Sequence, residues 1–124
     1  MTLFTMFLGL YLRVCDFNYC RSIEVKPEVI AVTTCESGDT ENLGTIDWDA
    51  VSVTGDTGAF QFSPSTWKWL TNRTDNAKDA PQSLQLITFY RLWDNGYGWT
   101  HWNSSKACWS KWMKINRNNQ AVWR

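Results

Sequence analysis

The stretch Pro27-Glu28-Val29-Ile30-Ala31-Val32-Thr33-Thr34-Cys35-Glu36-Ser37-Gly38 reads as a helix with a carboxyl at its exit. Proline suits the first helical position, where its missing N–H costs nothing, and glycine suits the position just past the end. The spacing predicts a helix from Glu28 to about Ser37, with Val29, Val32 or Thr33, and Glu36 on one face. A carboxyl in the last turn meets the negative end of the helix dipole, which disfavours its ionised form. From Glu28 to Asp56 the chain holds seven carboxylates (Glu28, Glu36, Asp39, Glu41, Asp47, Asp49, Asp56) and no Lys or Arg. Any of these folding close to Glu36, or burial beside aromatic rings, pushes its pKa further up. A general acid working near neutral pH needs such a shift.

Downstream, residues 39–49 read as a polar, acidic loop. Ala50–Val53 and Ala59–Phe62 read as short strands joined by Thr54-Gly55-Asp56-Thr57-Gly58, a hairpin with glycine-supplied turn geometry. Ser63-Pro64 is an N-cap and first helical residue, opening a helix through Thr66, Trp67 and Leu70. After a polar loop over 71–80, Pro81 opens the longest helix. There Leu86, Phe89, Tyr90 and Trp93 form an apolar stripe, which marks Trp93 as core, and Asn95-Gly96 ends it. Residues 96–108 read as a loop rich in Gly and Trp, and the chain from Trp109 as a short basic, aromatic tail that a helix would accommodate. The expected fold class is α+β, with several helices around one short β-hairpin. The expected organisation is an apolar N-terminal extension over 1–26 carrying Cys15 and Cys20, a folded domain over 27–109 and a basic tail over 110–124.

Composition sets further bounds. The 124 residues suffice for one compact domain, and twelve basic residues balance twelve acidic ones, so no global field selects a nucleic acid. The charge is regional, since no acid follows Asp94 while Lys106, Lys111, Lys114, Arg117 and Arg124 do. Nine tryptophans exceed what a core of this size requires. A flat apolar face with one N–H donor suits stacking on sugars, so the loop residues Trp48, Trp99 and Trp102 are cleft candidates. The four cysteines permit three pairings. Cys15 with Cys20 would close a short loop, and Cys35 with Cys108 a long one with the larger entropic effect. Disulfides imply an oxidising, extracytosolic location. His101 lies near Cys108, but no CxxC pair exists and the spacings fit no zinc module, so no metal or cofactor is expected. His101 itself reads as a loop histidine. Met1 to Leu12 is apolar, too short to span a bilayer, and without the basic start and cleavage pattern of a signal peptide, so it reads as a packing or partner-binding segment.

The order Cys35-Glu36-Ser37-Gly38, Gly58-Ala59-Phe60-Gln61-Phe62, Ser63-Pro64-Ser65-Thr66-Trp67, Asn95-Gly96-Tyr97-Gly98-Trp99, Trp102 and Cys108 resembles the catalytic domain of the resuscitation-promoting factors. More loosely, it resembles the wider lysozyme and lytic transglycosylase superfamily. The resemblance covers about residues 28 to 109 and implies a small lysozyme-like domain. It implies Glu36 as catalytic acid, Gln61 lining the cleft, Thr66 and Trp67 on a substrate-side helix start, and Cys35–Cys108 as the family disulfide. Tyr97 stands where the family commonly has Trp. The loop from Gly38 to Gly55 is longer than usual and holds Asp47-Trp48-Asp49, while Cys15–Cys20 and both termini lie outside the pattern.

What the resemblance implies is cleavage of the linkage between N-acetylmuramic acid and N-acetylglucosamine in peptidoglycan, through an oxocarbenium-like transition state. With Glu36 alone, the substrate N-acetyl group assists and a 1,6-anhydro sugar results. With Asp47, Asp49 or Asp56 opposite, hydrolysis follows. The rival readings are a non-catalytic glycan-binding module of the same fold and a structural component of a phage virion or tail. In the latter, residues 1–26 or the basic tail would meet a virion or wall-associated partner.

Overall fold

The computed structural model describes residues 9–124. The chain runs β1 (Leu10–Asp16), β2 (Tyr19–Val25), α1 (Pro27–Glu36), α2 (Pro64–Thr71), α3 (Gln82–Trp93), α4 (Lys106–Trp109), β3 (Met113–Ile115) and β4 (Ala121–Trp123). Short 3₁₀ segments lie at Ala77–Asp79, Asp94–Gly96 and Trp99–Ser105, the last broken by a kink at Trp102. The described residues form an α+β fold of four helices and two antiparallel hairpins, tied by the disulfides Cys15–Cys20 and Cys35–Cys108.

The three longer helices fall where proline and capping residues predict. Pro27 opens α1, and the Ser63 side chain accepts the Thr66 N–H at the start of α2. Helix α1 is buried from Val29 to Thr34 without a break, so it is surrounded rather than amphipathic. Thr34 serves that burial in both directions. Its hydroxyl donates to the Ile30 carbonyl at 2.7 Å and accepts the Gly44 N–H at 2.9 Å. The helix therefore carries the acidic loop against its side. At its exit, a Cβ on residue 38 would collide with the Thr45 backbone, which fits the glycine there.

Both hairpins lie outside the stretch in which the sequence predicts one. Between residues 50 and 62 only the isolated bridges Val51↔Thr57 and Thr57↔Phe62 form. Ladder pairing there is replaced by a side chain from α3. Gln85, fully buried, accepts the Ala59 N–H at 3.0 Å and donates to the Trp48 carbonyl at 3.2 Å. Gly58, at φ 88°, leaves the space this amide occupies. Replacing Gln85 with Leu orphans the buried Ala59 N–H and the part-buried Trp48 carbonyl and should destabilise the fold by about 2 kcal/mol. Thermal melting checks this, and an unchanged midpoint would contradict the role given to Gln85.

The N-terminal hairpin pairs Leu10 with Val25 through Asp16 with Tyr19, and its two cysteines face each other across the ladder. Leu12, Val14 and Val25 enter the same buried cluster as α1 and α3. Cys15 donates its N–H to Gln82 Oε1, and Asp16 Oδ1 accepts the Ser83 N–H at 2.9 Å. Asp16 thereby caps α3, whose own N-cap, Pro81, offers no side-chain acceptor. Hydrogen bonds from Ser83, side chain then backbone, hold the Asp16 carboxyl below its ordinary value, with Arg21 adding to the effect.

The basic tail forms a hairpin rather than a helix. Met113 and Ala121 are buried in the common cluster, and Trp99 and Gln120 tie the tail to the 94–105 turns through Asn119 and Asn95. One cluster thus draws side chains from both sides of residues 26/27 and 109/110. The apolar stretch over 1–8 lies outside the described residues.

Aromatic rings fill the centre. Phe89 stacks on Phe60 at 4.5 Å and on Trp93 at 5.3 Å, and meets Trp102 edge-on at 5.0 Å. Such pairs contribute about 0.5–1.5 kcal/mol each beyond their burial. Trp67, Trp93, Trp102 and Trp109 are all core residues.

Candidate functional site

Glu36 is the last residue of α1 and is half-buried. Its neighbour Cys35 is bonded to Cys108 in α4, which draws the end of α1 against the turn 99–105. Loss of solvent is the main reason its carboxyl pKa is raised to about 7, and the negative charge of Asp56 adds to it. A hydrogen bond from the Ser105 hydroxyl opposes the rise. That hydroxyl donates to the Trp102 carbonyl at 3.2 Å.

A concavity of about 130 Å³ opens beside these groups, lined by Asp56, Gln61, Phe62, Ser63, Thr66, Leu92, His101 and Trp102. Glu36 is not part of its wall. It is coupled to the concavity through Asp56, whose charge it feels, and through the turn that carries both Trp102 and Ser105. Gln61 stands at φ 56°, an uncommon conformation for a residue with a side chain, and its Nε2 donates to the carbonyls of Ala50 and Gly58. The amide thus braces the wall from inside the loop while its residue lines the cleft.

Of the three second-carboxylate candidates, Asp56 alone reaches this site. Asp47 and Asp49 are exposed and close a local turn, with Asp47 Oδ1 accepting the Asp49 N–H at 2.9 Å. Thr66 lines the concavity as expected of a helix start facing a ligand. Trp67 does not. It is wholly buried, with Nε1 bonded to Asp75 Oδ1 at 3.1 Å, because at one residue from Thr66 the helix has turned about 100° into the core.

The loop tryptophans also divide. Trp102 is 3% exposed and donates to the Phe60 carbonyl at 2.9 Å, so it serves as floor and offers no free face for stacking. Trp48 packs edge-on to Phe60 and Trp99 bonds to the Asn119 carbonyl under Lys106, both half-buried and outside the concavity. Tyr97 is exposed and also apart from it. His101, read from sequence as an ordinary loop residue, lies in the wall. Only its adjacency to Trp102 in the sequence hinted at that.

The chain matches no family model, no curated protein and no solved structure. Chemistry must therefore be read from the groups themselves. Among the described residues, no cluster of three or more His, Cys, Asp or Glu is placed to hold a metal ion, and Cys108 is committed to its disulfide. The described residues include no helix long and apolar enough to cross a membrane. The site offers one carboxyl that exchanges its proton near neutral pH, one carboxylate beside it, and a polar concavity with an aromatic floor.

Proposed function

We propose that the chain is a peptidoglycan-cleaving glycosidase with a lysozyme-like domain, acting on the MurNAc–GlcNAc linkage, with Glu36 as the proton donor. The observation that carries the proposal is the carboxyl poised at about 7 beside a concavity. An ordinary surface glutamate is ionised at that pH and has no proton to give. The substrate class rests on the ordered motifs from Cys35 to Cys108 and on the polar groups in the concavity's wall, Asp56, Ser63, Thr66 and His101, which suit the hydroxyls of a sugar.

In this reading Glu36 protonates the glycosidic oxygen as the bond to the muramyl C1 breaks, and the positive charge that develops on the sugar is met by Asp56. Water activated on the far face by Asp56 gives a reducing end. Attack by the sugar's own 6-hydroxyl, with Glu36 taking back a proton, gives a 1,6-anhydro end. The two disulfides suit an extracytosolic setting, whether secreted, wall-associated or on a phage particle. Digestion of purified peptidoglycan followed by mass spectrometry of the fragments tests the proposal. Cleavage at the MurNAc–GlcNAc bond, absent in Glu36→Gln, is expected, and the chemistry of the new ends separates the two routes. Retention on the wall with no fragments from the wild type would overturn the enzymatic reading in favour of a glycan-holding module.

A further inference from the structure

Helix α2 leaves a tryptophan in water. Trp69 is 72% exposed, whereas Trp67, two residues earlier on the same helix, is fully buried. An indole this exposed contributes little to folding, and the polar exposed neighbours Ser65 and Lys68 give it no apolar patch to join. Its position is defined by Thr66, a wall residue of the concavity. Three residues along a helix amount to about 4.5 Å of rise and about 60° of net rotation, so Trp69 stands one step outward from Thr66 on the adjoining face. The helix that carries it is fixed at both ends. Ser63 caps its start, and Arg91 of α3 donates to the Leu70 carbonyl at 2.8 Å, next to Trp69.

We infer that Trp69 is the stacking platform of an outer sugar subsite, continuing the concavity along α2 and gripping a glycan strand beyond the unit held at Ser63 and Thr66. The inference rests on the glycosidase reading and adds a strand-length specificity to it. A sugar ring has an apolar C–H face and a polar rim, so a single rigid indole among polar side chains fits it better than it fits a protein surface, which needs a contiguous apolar area. A platform outside the bond-breaking region contributes to binding equally in ground and transition states, so its loss raises KM and spares kcat.

The test compares Trp69→Ala and Trp69→Phe with the wild type on long uncrosslinked glycan strands and on a tetrasaccharide. Expected for Trp69→Ala is a KM on long strands raised about tenfold, with kcat within about twofold and no change on the tetrasaccharide, and Trp69→Phe should recover most of the loss. Equal KM values on long strands, or an equal loss on both substrates, overturn the platform and leave the catalytic proposal standing. Should Glu36→Gln turn over as fast as the wild type, the catalytic proposal fails instead. Pelleting with insoluble peptidoglycan then still decides Trp69, because equal retention of wild type and Trp69→Ala, or retention of neither, overturns it.

Discussion

Glu36→Gln is expected to slow glycan cleavage at least about a hundredfold and, above pH 7, to make the protein more stable. Both effects come from one carboxyl. In the proposed role of general acid, Glu36 would supply the proton in the transition state, and glutamine, equal in shape, cannot supply it. For stability, the folded chain holds the Glu36 proton up to about pH 7, whereas an unperturbed glutamate releases it near 4.5. Between those values the folded state binds more protons than the unfolded one, so stability falls as pH rises through the window. Above it, the folded protein carries a half-buried anion beside Asp56, at a cost on the order of 2 kcal/mol after allowance for partial solvent screening. Glutamine removes that cost at pH 8 and changes little at pH 4, where the carboxyl is neutral in both states. Paired activity assays and denaturant titrations at the two pH values check the prediction. A variant less stable than the wild type at pH 8 would show that the carboxylate is satisfied rather than strained.

The second large effect belongs to Cys35–Cys108. It joins residues 73 positions apart, against five for Cys15–Cys20. By loop-closure entropy, opening the long bridge costs about 4 kcal/mol and the short one about 2 kcal/mol. Under the proposed function the long bridge would also matter to activity where the short one would not, because it holds the end of α1, and so Glu36, against α4 and the turn with Ser105. Replacing Cys35 and Cys108 by serine should therefore lower both the unfolding free energy and the activity of the protein that remains folded. Removing Cys15 and Cys20 should loosen the N-terminal hairpin and leave turnover near normal. Urea unfolding and activity measured below each transition separate the two bridges. An equal or larger activity loss from the short one would contradict this assignment.

The helices were legible because their signals are local. Pro27, Pro64 and Pro81 with Ser63 mark starts, and Asn95-Gly96 marks a stop, whatever the rest of the chain does. The raised pKa of Glu36 was legible for the same reason, as a carboxyl at a helix exit among other acids, whereas its proposed role as an acid came from the order of motifs. The hairpins were not. Alternation of Leu10, Leu12 and Val14 against Ile23 and Val25 is present in β1 and β2, but the turn Phe17-Asn18 lacks glycine, and Phe17 takes a left-handed conformation that phenylalanine rarely adopts. The strands near the C-terminus have three residues each, below what periodicity can register. The predicted hairpin over 50–62 failed because a partner remote in sequence, Gln85, supplies the hydrogen bonds a ladder would have made. A glutamine on a helix reads as a solvent-facing residue until the surrounding chain is in place. The resemblance put Trp67 on the substrate side, where burial takes it out of reach, and Trp69 was passed over because residue type alone cannot say which way a helix faces.

The proposed chemistry depends first on the protonation state of Glu36, which site-resolved NMR titration of its side-chain carboxyl carbon, assigned with Glu36→Gln, measures without any substrate. A midpoint of about 7 is the predicted result. A midpoint near the ordinary 4.5 would mean that the carboxyl is ionised where it is needed as an acid, and would contradict the mechanism at its first step.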